Sequence, residues 1–498
     1  MTTELVPQVR RWHAFALLVT SFFMTIVDLT IVNVSLPTIG RALHFSESNL
    51  QWVVTAYAIT FGGFLLLGGR AADLLGRRRI LMLGLAIFTA ASLGCGLART
   101  DALLIAMRGL QGLGAAVVLP AALSIVMNMF AEGAERNKAL GLWGAIGAAG
   151  ATVGVITGGL LTQYAGWEYI FYLNVPVGAA ALLLAPRIVP ESRLAGARRR
   201  YDPAGAVTVT GALLLLVYSI SNAPQAGWGS ARTVTLLAVS AALLAAFVVI
   251  EARAATPLMP LRIFRLRMLA VSNAVGLLLG GSFFGFIFVG TLYMQQVLHF
   301  SALHTGIAWL AATITSVALA GLSQKLVTLI SPGPVMVLGM ALIAGGILWA
   351  TQVPVHGQFW ADLAGPFFVA GAGTAFAFIP VSIGGLTGVA GQDAGLASGL
   401  LNTSQQLGGA IGVAIASTVA ATRLGTLLGQ GKPIDVALTG GFHWAFWVCG
   451  TIALLALPAT ATLLLRRTTT AGLDGAAPAS PAKETPNQVK GMGAAPLE

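Results

Sequence analysis

An all-α membrane protein crossing the bilayer fourteen times is the fold class this sequence predicts, and three observations carry the prediction. Of 498 residues, 56% are hydrophobic and only 9% are charged, whereas a soluble protein carries about 25% charged residues. Mean hydropathy is +0.84. Apolar runs close to the roughly 20 residues that cross a bilayer as a helix recur almost end to end. Lys and Arg gather on alternate connections, which is the pattern of a polytopic chain obeying the positive-inside rule.

The first span, 12–36, follows Arg10 and Arg11 and ends at Pro37. It is too long for a signal-peptide core and lacks an A-x-A-like end, so it reads as a retained span. Spans 50–69 and 80–98 flank an Arg-rich loop, and 102–127, 139–162 and 169–186 complete a first set of six. The basic stretch ESRLAGARRRYDP (191–203) closes that set. Two further spans follow at 204–222 and 233–251. A second basic stretch, PLMPLRIFRLR (257–267), precedes the last six, at 269–292, 304–325, 334–352, 361–385, 399–422 and 442–465. With the N-terminus in the cytoplasm, twenty Lys and Arg fall at inner ends and loops and five at outer ones (Arg41, Arg99, Arg232, Arg423 and Lys432). Both termini are therefore predicted inside. The net charge of +11 belongs to these loops rather than to a nucleic-acid surface. Residues 468–498 are rich in Ala, Pro, Thr and Gly and are predicted disordered.

Several functions are disfavoured at this level. Cys95 and Cys449 are far apart, inside predicted spans; they read as small apolar packing residues, with no disulfide framework or metal site. The sequence GxxxxGK[ST] is absent, which argues against ATP as the energy source. The six His lie at span ends or in loops without ligand spacing. No Ser or Cys nucleophile constellation is evident, so an enzyme is not expected and no metal is predicted.

Four stretches carry chemistry. The first span holds FFMTIVDLTIVNVSLP (22–37), with Asp28 in mid-membrane. An ionisable residue there marks a functional site by default. Ser21, Thr25, Asp28, Val32 and Ser35 share a helical face that is predicted to point inward. Burial would favour the neutral acid and a nearby guanidinium the carboxylate; a residue balanced this way is suited to taking and releasing a proton. The loop GRAADLLGRRRILMLG (69–84) combines Gly69, Asp73, Gly76, Arg77 and Arg78. Gly69 permits close helix approach and Gly76 a tight turn, while Asp73 can pair with Arg77 or with a helix N-terminus. RGLQGLGAA (108–116) places Arg108 inside the fourth span with Gln111 on the same face. In GAAGATVGVITGGLL (147–161), Gly150, Gly154 and Gly158 form a small-residue stripe, with Gly159 adjoining it.

These stretches resemble those of the major facilitator superfamily. The 69–84 loop looks like its conserved cytoplasmic loop motif, RGLQG like its R-x-x-Q-G motif, and 150–159 like its antiporter motif, except that Val155 stands where that motif has Pro. DLTIVNVSLP (28–37), LQWVVTAY (50–57), GWEYIFYLNVPVG (166–178), PLMPLRIF (257–264) and SGLLNTSQQLGGAIGVA (398–414) occur in order. Together they are similar to the fourteen-span drug:proton antiporters of EmrB/QacA type, over residues 12 to about 466. Glu168 departs from that pattern, where a basic residue is expected.

The resemblance implies a major facilitator fold. Its parts would be a six-helix bundle over 1–188, a basic linker over 189–203 and two additional helices over 204–251. A loop over 252–268, a second six-helix bundle over 269–466 and a tail over 467–498 would complete it. It implies a drug:H+ antiporter in the bacterial cytoplasmic membrane, working by alternating access as a monomer. The energy source would be the proton gradient, with no cofactor. Asp28 and Arg108 would couple protons, and Gly69, Asp73, Gly76, Arg77 and Arg78 would gate the cytoplasmic side. Substrate candidates are Thr25, Asn33, Trp52, Tyr57, Gln111, Asn273, Phe284, Asn402 and Gln406. A drug near Asp28 would compete with its proton. Alternatives are a dedicated exporter of one natural product, a metabolite importer or exchanger, and a non-transporting membrane sensor.

Overall fold

Residues 8–45, 50, 52–131, 133–192, 202–254, 257–390 and 393–464 are described by the structure, a computed structural model. Most of the basic linker predicted at 189–203 and the tail predicted at 467–498 lie outside the described residues. Fourteen long helical spans are present among those described: α1 (Gln8–Ala42), α2 (Trp52–Leu75), α3 (Arg77–Gly96), α4 (Asp101–Met129), α5 (Ala134–Tyr164), α6 (Tyr169–Ile188), α7 (Pro203–Ala226) and α8 (Ala231–Arg253). The remaining six are α9 (Arg267–Gln296), α10 (Ala302–Ile330), α11 (Pro332–Trp349), α12 (Ala364–Leu386), α13 (Ala394–Gly429) and α14 (Ile434–Leu464). Thirteen are long and apolar enough to cross a membrane; α5, with 31 residues, packs among them as the fourteenth.

Local chemistry sets the ends. Thr100, Asp202, Ser230 and Ser301 each cap a helix by accepting a backbone N–H from three residues ahead, which satisfies a donor the first turn cannot. Helices α1 and α13 have 35 and 36 residues and overrun both predicted limits. At 1.5 Å per residue each exceeds about 50 Å, more than the roughly 30 Å hydrocarbon core, so their ends reach water. Helix α6 breaks at Leu173, between Tyr169–Tyr172 and Asn174–Ile188.

The packing has an internal symmetry. In the first bundle α1 packs on α5 and α6, α2 on α4, and α3 on α4 and α6. In the second the corresponding pairs recur: α9 on α13 and α14, α10 on α12, and α11 on α12 and α14. The bundles meet along two seams, α2 with α13 and α5 with α10. The extra hairpin breaks the symmetry. Helix α7 packs on α2 and α13, over one seam only, while α8 touches chiefly α7 and is mostly exposed on its apolar surface.

Trp167 and Trp309, which lie near predicted span ends where Trp commonly anchors at the membrane interface, are core residues instead. Trp309 is buried and stacks on Phe367 at 4.3 Å, and Trp167 is buried against Phe171. Their positions near span ends matched the interfacial pattern, but the aromatic partners that bury them come from distant parts of the chain or from a neighbouring turn.

Candidate functional site

The inward-facing stripe of α1 does enter the protein, but it enters its own bundle. Ser21, Thr25, Asp28, Val32 and Ser35 are all buried. The Asp28 carboxylate lies fully buried beside Arg108 of α4, with Oδ2 accepting Arg108 Nη1–H at 2.7 Å. Its Oδ1 accepts Gln111 Nε2–H and Asn174 Nδ2–H, both at 2.7 Å. Arg108 is spent further: Nε donates to the Val53 carbonyl at 2.9 Å and Nη1 also to Gln111 Oε1 at 2.7 Å. Its guanidinium lies over the Tyr57 ring, 4.4 Å from the centroid, a cation–π contact strengthened by the dry surroundings. Gln111 passes the network on to Ser92 Oγ at 2.8 Å. Burying an ion pair is costly unless the remaining polar atoms are also satisfied; five elements, α1, α2, α3, α4 and α6, supply the partners here, and only Arg108 Nη2 of the guanidinium is left without one among the described residues.

Asn174 was not among the sequence candidates. Its signal was a polar residue within the GWEYIFYLNVPVG stretch, at the point where α6 breaks. The break starts the second helical segment at Asn174, whose amide reaches the carboxylate of α1.

The 69–84 loop joins the two bundles. Arg77 holds Asp73 four residues back, Nη2 and Nε donating to Oδ1 at 2.7 and 3.0 Å. Asp73 also accepts the first backbone N–H groups of α13, from Leu396 at 3.1 Å and Gly395 at 3.3 Å. A carboxylate is thus set on the positive end of a helix belonging to the opposite bundle. Ser124 joins by accepting Arg77 Nε–H at 2.6 Å. Gly69 and Gly395 let the backbones touch, since a Cβ on either would strike the other's carbonyl oxygen. Gly76 has φ of +111°, a conformation L side chains resist. Arg78 turns away from the seam and pairs with Glu191 at 3.7 Å. Outside this latch, Arg70 approaches Asp393 at 3.8 Å.

A central cavity lies between the bundles, lined by α1 (Phe22, Ile26, Leu29, Thr30), α4 (Leu119, Leu123), α5 (Trp143, Gly144, Gly147), α9 (Phe283, Phe284), α12 (Phe378, Ser382) and α13 (Leu401, Asn402, Gln405, Gln406). Phe22 stacks on Trp143 at 4.2 Å on one wall, and Phe283 meets Phe378 edge to face at 5.3 Å on the other. Three predicted substrate residues, Phe284, Asn402 and Gln406, are in the wall. Thr25, Tyr57 and Gln111 instead belong to the ion-pair cluster. Asn273 is tied to Leu269 and Ser404, and Trp52 stacks on Tyr218 of α7; neither lines the cavity. Asn33 is on α1, with its side chain outside the described residues. Asp28 does not line the cavity. Contact competition between a drug and the Asp28 proton, expected from sequence, has no geometry here because the carboxylate faces α4 and α6 while the opposite side of α1 forms the wall.

The small-residue stripe of α5 packs on α1: a Cβ at Gly150 would meet Ile26, at Gly154 the Thr30 hydroxyl and Val27 carbonyl, and at Gly158 the Ile31 backbone. Gly159 faces Leu303 of α10 instead. Helix α5 runs unbroken through Val155, as the missing Pro allows. Glu168 lies 3.9 Å from Arg99.

Comparison with known proteins follows this geometry. The family model described as Major Facilitator Superfamily matches residues 18–413 and 275–494. Puromycin resistance protein pur8 of Streptomyces alboniger is 35% identical over 96% of each chain. Cephamycin export protein CmcT of Amycolatopsis lactamdurans is 38% identical over 80% of this chain and 83% of its own. Multidrug resistance protein Stp of Mycobacterium tuberculosis is 35% identical over 78% and 72%. Among solved structures, the human organic anion transporter MFSD10 superposes with a TM-score of 0.64 at 16% identity, covering 91% of this chain and 100% of its own.

Proposed function

The chain belongs to the major facilitator superfamily and is a multi-pass membrane protein, and from that premise we propose that it is a proton-coupled exporter of drugs or antibiotic-like small molecules, a transporter rather than an enzyme. The observation that carries this reading is a buried, hydrogen-bonded Asp28–Arg108 pair next to a separate aromatic and amide-lined cavity. Relatives named for puromycin resistance, cephamycin export and multidrug resistance support the substrate class.

The chemistry follows from the partners. In the ionised state Asp28 ties α1 to α4 and α6 through three hydrogen bonds. A proton on the carboxyl removes the charge that Arg108 and both amides are arranged to meet, so these helices lose their common anchor. Helix α1 carries Asp28 on one face and Phe22, Ile26 and Leu29 on the other. A shift of α1 on protonation therefore reshapes the cavity wall, and occupancy of the cavity in turn biases the pair. Coupling is through the helix. The Asp73 latch holds the cytoplasmic seam shut in this conformation and must open for substrate to enter from inside. The proton gradient supplies the energy, the site is the bacterial cytoplasmic membrane, and one chain holds both bundles, so a monomer suffices.

Purified protein in liposomes, given an imposed pH gradient and a panel of cationic and neutral drugs, tests the reading. Gradient-dependent accumulation of several compounds is expected; none under any gradient would overturn it. A second reading, a dedicated exporter of one natural product, is favoured by the single-compound names of two relatives. A panel in which one compound alone is moved would select it.

A further inference from the structure

The PLMPLRIF stretch and the extra hairpin meet at a second carboxylate site, separate from Asp28. Asp202 caps α7 with Oδ1 accepting the Gly205 N–H at 2.7 Å. Glu251, in the last turn of α8, accepts the Met259 N–H through Oε2 at 3.0 Å. Each carboxylate has one oxygen left over. Asp202 Oδ2 and Glu251 Oε1 are buried and have no hydrogen-bond partner among the described residues. Glu251 is only 4% exposed. Both spare oxygens converge on one point, each 2.6 Å from where a Cβ on Gly205 would sit.

The buried Glu251 and the half-buried Asp202 thus bring two spare oxygens, each 2.6 Å from one point, to no more than 5.2 Å apart, and like charges this close disfavour each other without a positive partner between them. The charged groups acting on Glu251 are Asp202 from α7 and Arg70 from α2. Arg70 makes its contacts elsewhere, Nη1 facing Asp393 at 3.8 Å and Nη2 donating to the Pro257 carbonyl at 3.3 Å, while its Nε is buried with no hydrogen bond to either carboxylate among the described residues. The connecting loop offers Glu251 a backbone N–H and buries Leu258, Met259 and Ile263 in the core. No third carboxylate, His or Cys joins the pair among the described residues, so Mg2+ or Ca2+ there would have to keep most of its waters beside buried oxygens. A proton needs only the two oxygens present.

We propose that Asp202 and Glu251 form a second proton-binding site, holding one proton between them at the cytoplasmic end of the extra hairpin. With the proton in place, Arg70 is left to Asp393, two residues ahead of the α13 amides that take Asp73. Loss of the proton creates a pair of anions beside Arg70 and draws the guanidinium toward them. The loop held by Glu251 and Arg70 then loosens from α2, and the Arg70–Asp393 contact weakens. The hairpin thereby reports cytoplasmic pH to the latched seam.

Infrared difference spectroscopy on the full-length protein in liposomes tests this, in an Asp28→Asn background that removes that residue's own carboxyl signal. The protonated-carboxyl band at neutral pH should fall by one carboxyl in Glu251→Gln and equally in Asp202→Asn. Both substitutions place an amide donor where the proton sits and keep the contacts to Met259 or Gly205, so the fold is retained; Asn also caps helices well. A band unchanged by both variants overturns the proposal. So does a band that Mg2+ or Ca2+ abolishes in the parent alone, which would make the pair a cation site.

Discussion

In the first bundle four charged side chains are buried, Asp28, Asp73, Arg77 and Arg108; in the second, built on the same packing plan, the buried polar residues among those described are all Ser, Thr or Asn. The second bundle instead gives the cavity its three amide-bearing wall positions, Asn402, Gln405 and Gln406, and the Phe283–Phe378 contact. Equal helix packing therefore does not bring equal chemistry. The half with buried charge has groups that can change charge state. The half without it presents aromatic faces and neutral hydrogen-bonding groups, which accept varied ligands at low desolvation cost. We read the first as the energy-coupling half and the second as the main substrate-reading half.

The sharpest way to break that division is Asp28→Asn. Gradient-driven export should fall by about a hundredfold, the scale of a positioned proton-transfer group, while equilibrium drug binding stays close to wild type. An equal loss in transport from Asn273→Ala, in the second bundle, would erase the contrast. Next in size is the latch. Asp73→Asn or Arg77→Ala should slow turnover by about tenfold, as expected for losing a charge-assisted contact, with binding little altered; export rates at equal expression decide it. Gln406→Ala should raise KM by about fivefold for compounds that hydrogen-bond to it, near 1 kcal/mol, and leave the pH dependence untouched. A pH profile that moves with Gln406 would put coupling in the second bundle. Smallest of all, Trp52→Ala should change transport by less than about twofold, because its ring packs on Tyr218 outside the cavity.

Much of this was legible in the sequence, for identifiable reasons. Asp28, Arg108, Asp73 and Arg77 stand out because a charge in an apolar span has few innocent explanations. The option that Asp73 meets a helix N-terminus was also readable, but not which helix: Gly395 and Leu396 lie more than 300 positions away. The cavity wall was least legible. Phe22, Ile26 and Leu29 are apolar, and so are the lipid-facing residues of α1, so no hydrophobic periodicity separates the two faces. Phe283 and Phe378 were obscured in the same way. Asn174 was visible as a polar residue but not as a partner of Asp28: Pro176 signals the break, because it cannot bond the Tyr172 carbonyl and its ring pushes that group away, but nothing local says which helix the freed amide meets.

The pairing of Asp28 with Arg108 also has an electrical consequence. As drawn, the pair is neutral inside the bundle. Adding a proton to Asp28 leaves Arg108 as a net positive charge in the middle of the membrane. On the proposed coupling, the loaded carrier then moves within the transmembrane field, at about 2.3 kcal/mol per elementary charge for each 100 mV. A membrane potential, inside negative, would pull the protonated state toward the cytoplasm even without a pH difference, so voltage alone should drive export.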